Sequence, residues 1–254
     1  MKKGIFMLLF VVIIISGCSG NKVKTVTDKE ITLSMEVGER VGTYTGELLN
    51  GIPNGVGKFE AVNPAGVKWY YEGDFVNGEF TGQGVTIWDS GQIQRGTYEN
   101  FVWKPNSAQI FECLKSLDEI GMSDASKDFI ENNNGIFPAS VYFEIQDFID
   151  RDISYKMITK EPNKYGNKIA QFDNLYINQI RVLPVGETQN EYTYMTAYDE
   201  NYNVFELYYV GSLPDILDGD TVSKVYGIPL AVGGYETVAG GFANTIEVAV
   251  CFIE

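Results

Sequence analysis

Along most of this chain polar and apolar residues alternate with a period of two, the spacing of a half-buried β-strand, and only the middle lengthens to a helical period. Residues 44–101 add punctuation to the alternation. Tyr44-Thr-Gly46, Asn50-Gly51 and Gly55-Val-Gly57 are followed by Tyr71-Glu-Gly73-Asp-Phe75, Asn77-Gly78 and Gly82-Gln-Gly84, and a third unit opens at Gly96. The first four glycines and the second four share the same offsets. Asn-Gly between alternating runs marks a tight hairpin turn, because both central residues of that turn need positive φ. The glycines of Gly-x-Gly lack a Cβ, so they admit left-handed backbone or let an aromatic ring lie against the chain. Residues 31–37 also alternate, and as a strand they would cap the open edge of the first unit.

Beyond this region Lys104-Pro-Asn-Ser is a stop-and-start signal, with Asn106 or Ser107 as N-cap and Gln109 reaching back if Asn106 is the cap. Ile110, Cys113, Leu114, Leu117 and Ile120 then form one apolar stripe, which Gly121 ends and which should pack on the last hairpin. Residues 123–132 read as a second short helix and 132–135 as a mobile loop. Val141, Ile145, Phe148 and Ile149 stand at helical spacing, and residues 152–160 read as a helix stopped before Pro162. From Lys168 the period returns to two, giving strands at 168–183, 192–198, 204–210, 221–226 and 245–253. On the second of these Tyr192, Tyr194, Thr196 and Tyr198 share one face, either packed or ligand-binding.

The glycine-rich units resemble the MORN repeat family, Tyr-x-Gly-x-x-x-x-Gly-x-x-x-Gly-x-Gly. The resemblance covers residues 44–96 and implies a flat ribbon of hairpins used for scaffolding and attachment rather than chemistry. Gly46 and Gly73 lie 27 residues apart and Gly73 and Gly96 only 23, so residues 62–70 carry a small insertion. In the third unit Gln94 replaces the opening Tyr, and the pattern decays after Phe101. Residues 150–254 resemble the small OB-fold domains of bacterial exported proteins. The likeness lies in residues 153–166, which lead into the first strand, in residues 216–227 with Leu217-Asp-Gly-Asp220 and Val225-Tyr-Gly227, and in the closing Thr245-Ile246. An OB-fold is a five-stranded Greek-key barrel whose outer face often takes oligonucleotides or sugars.

The start of the chain adds an address. Lys2 and Lys3 precede an unbroken apolar run of eleven residues, 5–15. That run is too short to span a bilayer but is suited to the core of a signal peptide. The run ends in Ile15-Ser-Gly-Cys18, which looks like a bacterial lipobox in which Cys18 takes a diacylglyceryl group; the alternative is an ordinary signal peptide with an incidental cysteine. The expected layout is a signal peptide at 1–17, a tether at 18–30, a MORN-type ribbon with its capping strand at 31–104, a short helical connector at 105–149 and a five-stranded OB-like barrel at 150–254. The fold class is mainly β with some α.

Charge and composition exclude several functions. Loss of Lys2 and Lys3 leaves 17 basic against 34 acidic residues, a formal charge of −17. Such a field repels nucleic acid and anionic headgroups. Residues 166–254 hold three bases (Lys168, Arg181, Lys224) and twelve acids, the wrong sign for a single-strand groove. The chain has no histidine, which removes Ser-His-Asp and Cys-His catalysis and the commonest zinc ligand. Asp215, Asp218 and Asp220 lack the spacing and terminal Glu of a calcium hand and read as a solvated turn. Asp199-Glu200 read as a hairpin turn rather than a glycosidase pair. Cys113 and Cys251 read as small buried residues, with one disulfide as the other possibility.

The function expected from the sequence is therefore that of a lipid-anchored, extracytoplasmic binding or scaffold protein. It has no catalytic residues, metal or cofactor, it is attached to the cell membrane through Cys18, and it engages a protein partner and no nucleic acid. The alternative is an OB-face receptor for an oligosaccharide or peptide. Gly46, Gly51, Gly55, Gly57, Gly73, Gly78, Gly82 and Gly84 are the repeat-defining residues.

Overall fold

The two Asn-Gly pairs set the geometry of the first half. Asn50 and Gly51 take φ of 53° and 92°, Asn77 and Gly78 take 52° and 90°, and each pair closes a two-residue hairpin whose twist matches its strands. A computed structural model describes residues 22–117, 121–186, 188, 190–236 and 240–254. In it β1 (Val23–Met35), β2 (Gly38–Leu49), β3 (Ile52–Val62), β4 (Lys68–Val76), β5 (Glu79–Trp88), β6 (Ile93–Glu99) and β7 (Val102–Lys104) form one antiparallel sheet in chain order. The expected insertion is the loop between β3 and β4. There the Asn63 carboxamide oxygen accepts from the backbone N–H groups of Ala65 and Val67, both at 3.0 Å.

The capping strand is longer than the alternation at 31–37 implied. It starts at Val23, inside the stretch expected to be a tether, and pairs with β2 from Val23↔Leu49 to Met35↔Gly38. Pairing with β2 engages the backbone groups of 23–26 and 29–30 that face it even though their side chains bury little, so side-chain pattern understated this strand. Cys18 and the expected signal peptide lie outside the described residues.

The connector begins as anticipated and ends early. Helix α1 (Ser107–Lys115) has a capping box, with the Asn106 side chain accepting from Gln109 N–H at 3.0 Å and the Gln109 side chain accepting from Asn106 N–H at 2.9 Å. It stops at Lys115 rather than at Gly121, because the Ser116 hydroxyl bonds the Cys113 carbonyl at 2.7 Å and accepts from Ile93 N–H at 3.1 Å, tying the C-cap to β6. Leu117 is exposed, and Ile120 lies outside the described residues. Helix α2 (Asp124–Asn132) follows. The stretch expected as a mobile loop is instead a 3-10 turn, Asn134–Ile136, with the Asn133 side chain bonded to the Phe129 carbonyl at 2.8 Å. Residues 141–149 form two further 3-10 turns and not a helix: Ile145 is fully buried while Val141 and Phe143 point to solvent. A two-residue strand β8 (Ile149–Asp150) and helix α3 (Tyr155–Lys160) lead to the last unit.

That unit is a closed five-stranded barrel built from β9 (Ile169–Pro184), β10 (Glu191–Tyr198), β11 (Val204–Val210), β12 (Thr221–Glu236) and β13 (Phe242–Ile253). The strands run in the order β9-β10-β11-β13-β12 and back to β9, with β11 and β13 parallel and the other pairs antiparallel. Strand β12 runs ten residues past its expected end at Tyr226. It does so through irregularities at Tyr226/Gly227 and Pro229/Ala231, the kind of site that accommodates a proline within a sheet.

The expected boundary at residue 150 cuts through a core. Strand β13 is buried on both faces: Ile246, Val248 and Val250 face the barrel interior, while Ala249 and Cys251 pack outward with Tyr226, Ile228 and Leu230 against Phe111, Ile130, Phe137 and Ile145 of the connector. A buried ion pair, Lys115 to Glu247, joins α1 to β13. Val185, after β9, is fully buried in the ribbon's core. Cys113 and Cys251 are both buried and form no disulfide, one in the ribbon core and one under the connector.

Candidate functional site

The ribbon's buried face is ordered by cross-strand register. Tyr44, Phe59, Tyr71, Thr86 and Gln94 stand opposite one another on successive strands, and beside them Ala61, Trp69 and Trp88 form a second row. Tyr71 stacks on Phe80 with centroids 3.8 Å apart and planes 5° from parallel, and Tyr98 meets Tyr71 edge-on at 5.0 Å. Such rings bury large apolar area with little side-chain entropy to lose. The first row is aromatic for three strands and then turns polar. Where it does, a cavity of about 200 Å³ opens, lined by all three tryptophans of the chain (Trp69, Trp88, Trp103) together with Phe80, Tyr98, Phe101, Thr86 and Gln94. Glu36 of the β1–β2 turn, Arg40 of β2, Asn63, and Thr188 from the barrel's β9–β10 connection also contribute to the wall.

The electrostatics of this wall are settled internally. Tyr98 donates its hydroxyl to the Gln94 carbonyl at 2.9 Å, so the Thr86 hydroxyl, 2.8 Å away, donates to Tyr98. Burial holds the Tyr98 phenol well above its ordinary range. Trp103 donates its ring N–H to the Arg95 carbonyl at 3.0 Å. The Arg40 guanidinium is held by the carbonyls of Val37 and Glu39 at 3.2 and 2.9 Å.

The predicted glycines build the sheet and do not themselves line the cavity. Gly46, Gly57, Gly73, Gly84 and also Gly96 form one row across five strands. The Tyr44 ring covers Gly57 and the Tyr71 ring covers Gly84. Their hydroxyls donate to the Glu47 and Asp74 carbonyls at 2.8 and 2.9 Å. Burial raises the Tyr44 phenol to about 12 and pushes Tyr71 higher still. Gly51 and Gly78 are the turn residues; Gly55 and Gly82 lie beside the Glu47 and Asp74 carboxyl groups.

Sequence reasoning noted the two residues that shape the cavity only as a repeat losing its pattern, and did not place them at a site. Gln94 stands where the earlier units have Tyr44 and Tyr71. Phe101 stands where they have Gly51 and Gly78, and it keeps the turn's positive φ, 69°, preceded by Asn100 at 50°. A bulky residue in that region is a steric outlier. Its ring is held edge-on against Phe80 at 5.0 Å. The signal was in the sequence, as two departures from the repeat within eight residues.

On the barrel, the tyrosine face of β10 points outward while Thr193, Met195 and Ala197 point in. Tyr176, Tyr198 and Tyr202 make a partly exposed row, with successive centroids 4.9 and 5.8 Å apart. The aspartates near Gly219 serve the backbone: Asp218 accepts from Ile180 N–H at 2.6 Å and Asp220 from Leu217 N–H at 2.7 Å. Asp199 caps its hairpin turn through the N–H groups of Asn201 and Asn203.

The MORN repeat family matches residues 44–63 and 71–93. No curated protein and no solved structure matches the chain.

Proposed function

We propose that this chain, a MORN-repeat ribbon joined to a five-stranded barrel, is a non-catalytic binding protein held at the extracytoplasmic face of the cell membrane by lipid on Cys18. The carrying observation is the cavity on the ribbon's inner face, where three tryptophans and a buried glutamine meet at the point where the repeat departs from its pattern. Its chemistry is that of recognition: apolar walls with a few placed polar groups. The one ionisable hydroxyl deep in it, Tyr98, is already committed to Gln94 and Thr86, and the chain has no histidine to act as a base. The order of positive charge, apolar run and Ile-Ser-Gly-Cys supports the anchor, since two acyl chains give stable attachment. The strand order with its parallel β11–β13 pair supports reading the barrel as OB-like, a second interaction module beside the ribbon. The formal charge supports protein partners over nucleic acid.

Crosslinking on intact cells followed by purification of the full chain tests this reading. Recovery of a defined protein partner from the membrane fraction is expected, and a chain found only in the soluble fraction overturns it. The tyrosine row of Tyr176, Tyr198 and Tyr202 favours a second reading, in which the barrel's outer face receives an oligosaccharide or peptide by ring stacking.

A further inference from the structure

We infer that the cavity between the third repeat and the β9–β10 connection is a glycan site that takes one neutral sugar ring. This rests on the reading of the chain as a binding protein, though not on its anchor. The size decides first. About 200 Å³ is below the roughly 300–1,000 Å³ of a site for a drug-sized molecule, so the enclosed part of the cavity fits a single ring with its substituents.

The walls decide the chemistry. Aromatic faces carry negative quadrupole charge, and the C–H face of a pyranose presents weakly positive hydrogens to such rings. Gln94 is 5 % exposed. Its backbone carbonyl is taken by Tyr98, while its side-chain amide, with one donor group and one acceptor, borders the cavity. A phenyl ring in this place would leave that amide without a partner once water is excluded, at a cost of about 1–3 kcal/mol; a hydroxyl or acetamido group satisfies it. At the rim Arg40 and Glu36 supply one charge of each sign. That balance gives no net preference for an ionic ligand, and Arg40 makes no ion pair with a described residue.

The two departures from the repeat make sense together on this reading. An opening Tyr at position 94 would add a ring where the cavity lies, and a Gly at 101 would remove one aromatic wall. The chain instead keeps Gln94 open and holds Phe101 at a φ of 69°, and backbone strain of this kind clusters at ligand sites.

All three tryptophans line the cavity, so intrinsic fluorescence reports on it directly. The full-length chain, in a polyoxyethylene detergent without a sugar headgroup, is titrated with methyl glucoside, with N-acetylglucosamine and, as an apolar ring without a hydrogen-bonding group, with toluene. We expect a saturable change with at least one sugar and a weaker response or none with toluene. Gln94→Tyr, which restores the repeat pattern, should abolish the sugar response. Gln94→Leu, which keeps the volume and removes the amide, should weaken it about tenfold, with an unchanged melting temperature as the folding control. No saturable response to either sugar, tighter binding of toluene, or full binding by Gln94→Leu overturns the proposal. Recovery of the sugar chemically altered would overturn the non-catalytic reading while leaving the sugar site standing.

Discussion

At Gly84 a Cβ would lie 2.5 Å from two carbons of the Tyr71 ring, closer than van der Waals contact allows. Tyr71 is itself pinned by its stack on Phe80 and its hydroxyl bond to Asp74, so it cannot give way. Gly84→Val is therefore expected to cost about 1–3 kcal/mol, read from the urea midpoint; a shift of only a few tenths would show that the ring is free to move. The same rings predict an alkaline limit. Burial raises Tyr44 to about 12, and Tyr71 and Tyr98 above that, against about 10 in an unfolded chain. Folding thus favours the neutral phenols. Their contribution is fully present below pH 10 and is lost as pH rises through the folded-state values. Melting temperature should fall steadily from pH 10 to 12, and a flat profile over that interval would contradict the burial of these hydroxyls.

Among the elements, α1 is short for a helix that joins two sheets. Nine residues are marginal alone, and the capping box at Asn106 and Gln109 supplies local support that the sequence displayed openly. The pair that fastens it to β13 was not legible. Lys115 and Glu247 are 132 residues apart, and nothing in a stripe of Ile110, Cys113 and Leu114 announces that the lysine beside it is buried. Removing one member of a buried pair strands the other charge. Lys115→Met should cost about 3 kcal/mol, and Lys115→Met with Glu247→Met should recover much of it. If the double variant is as unstable as the two single changes added together, the pair is not coupled and the contact is incidental.

For the whole molecule the shared core decides how far the parts stand alone. Tyr226, Ile228, Leu230, Ala249 and Cys251 cover the outer side of β12 and β13 and meet the connector helices. A fragment of residues 150–254 loses that cover and should be expressed as insoluble or poorly cooperative material, whereas 105–254 keeps the cover and should unfold in one transition; equal cooperativity of the two by calorimetry would show the connector to be dispensable. The proposed anchor has its own test at this scale. Cys18→Ala should move the chain out of the detergent phase, and unchanged partitioning would remove lipid from the account.

The sequence by itself determined what depends on neighbours in the chain. Asn-Gly fixes a hairpin because two successive residues need positive φ, and the shared offsets of Gly46, Gly57, Gly73 and Gly84 place them in one row as soon as those hairpins form. The five period-two segments after Lys168 likewise announced five strands, although only the pairing of β11 with β13 and of β9 with β10 closed them into a barrel. The cavity was decided by the tertiary structure. Gln94 and Phe101 look in sequence like a repeat losing its pattern. They become a wall only when the ribbon brings Trp69, Trp88 and Trp103 together and the barrel's connection carries Thr188 beside them. Local propensity sets backbone conformation residue by residue, but the shape of a void depends on contacts between segments about a hundred residues apart, which no period records.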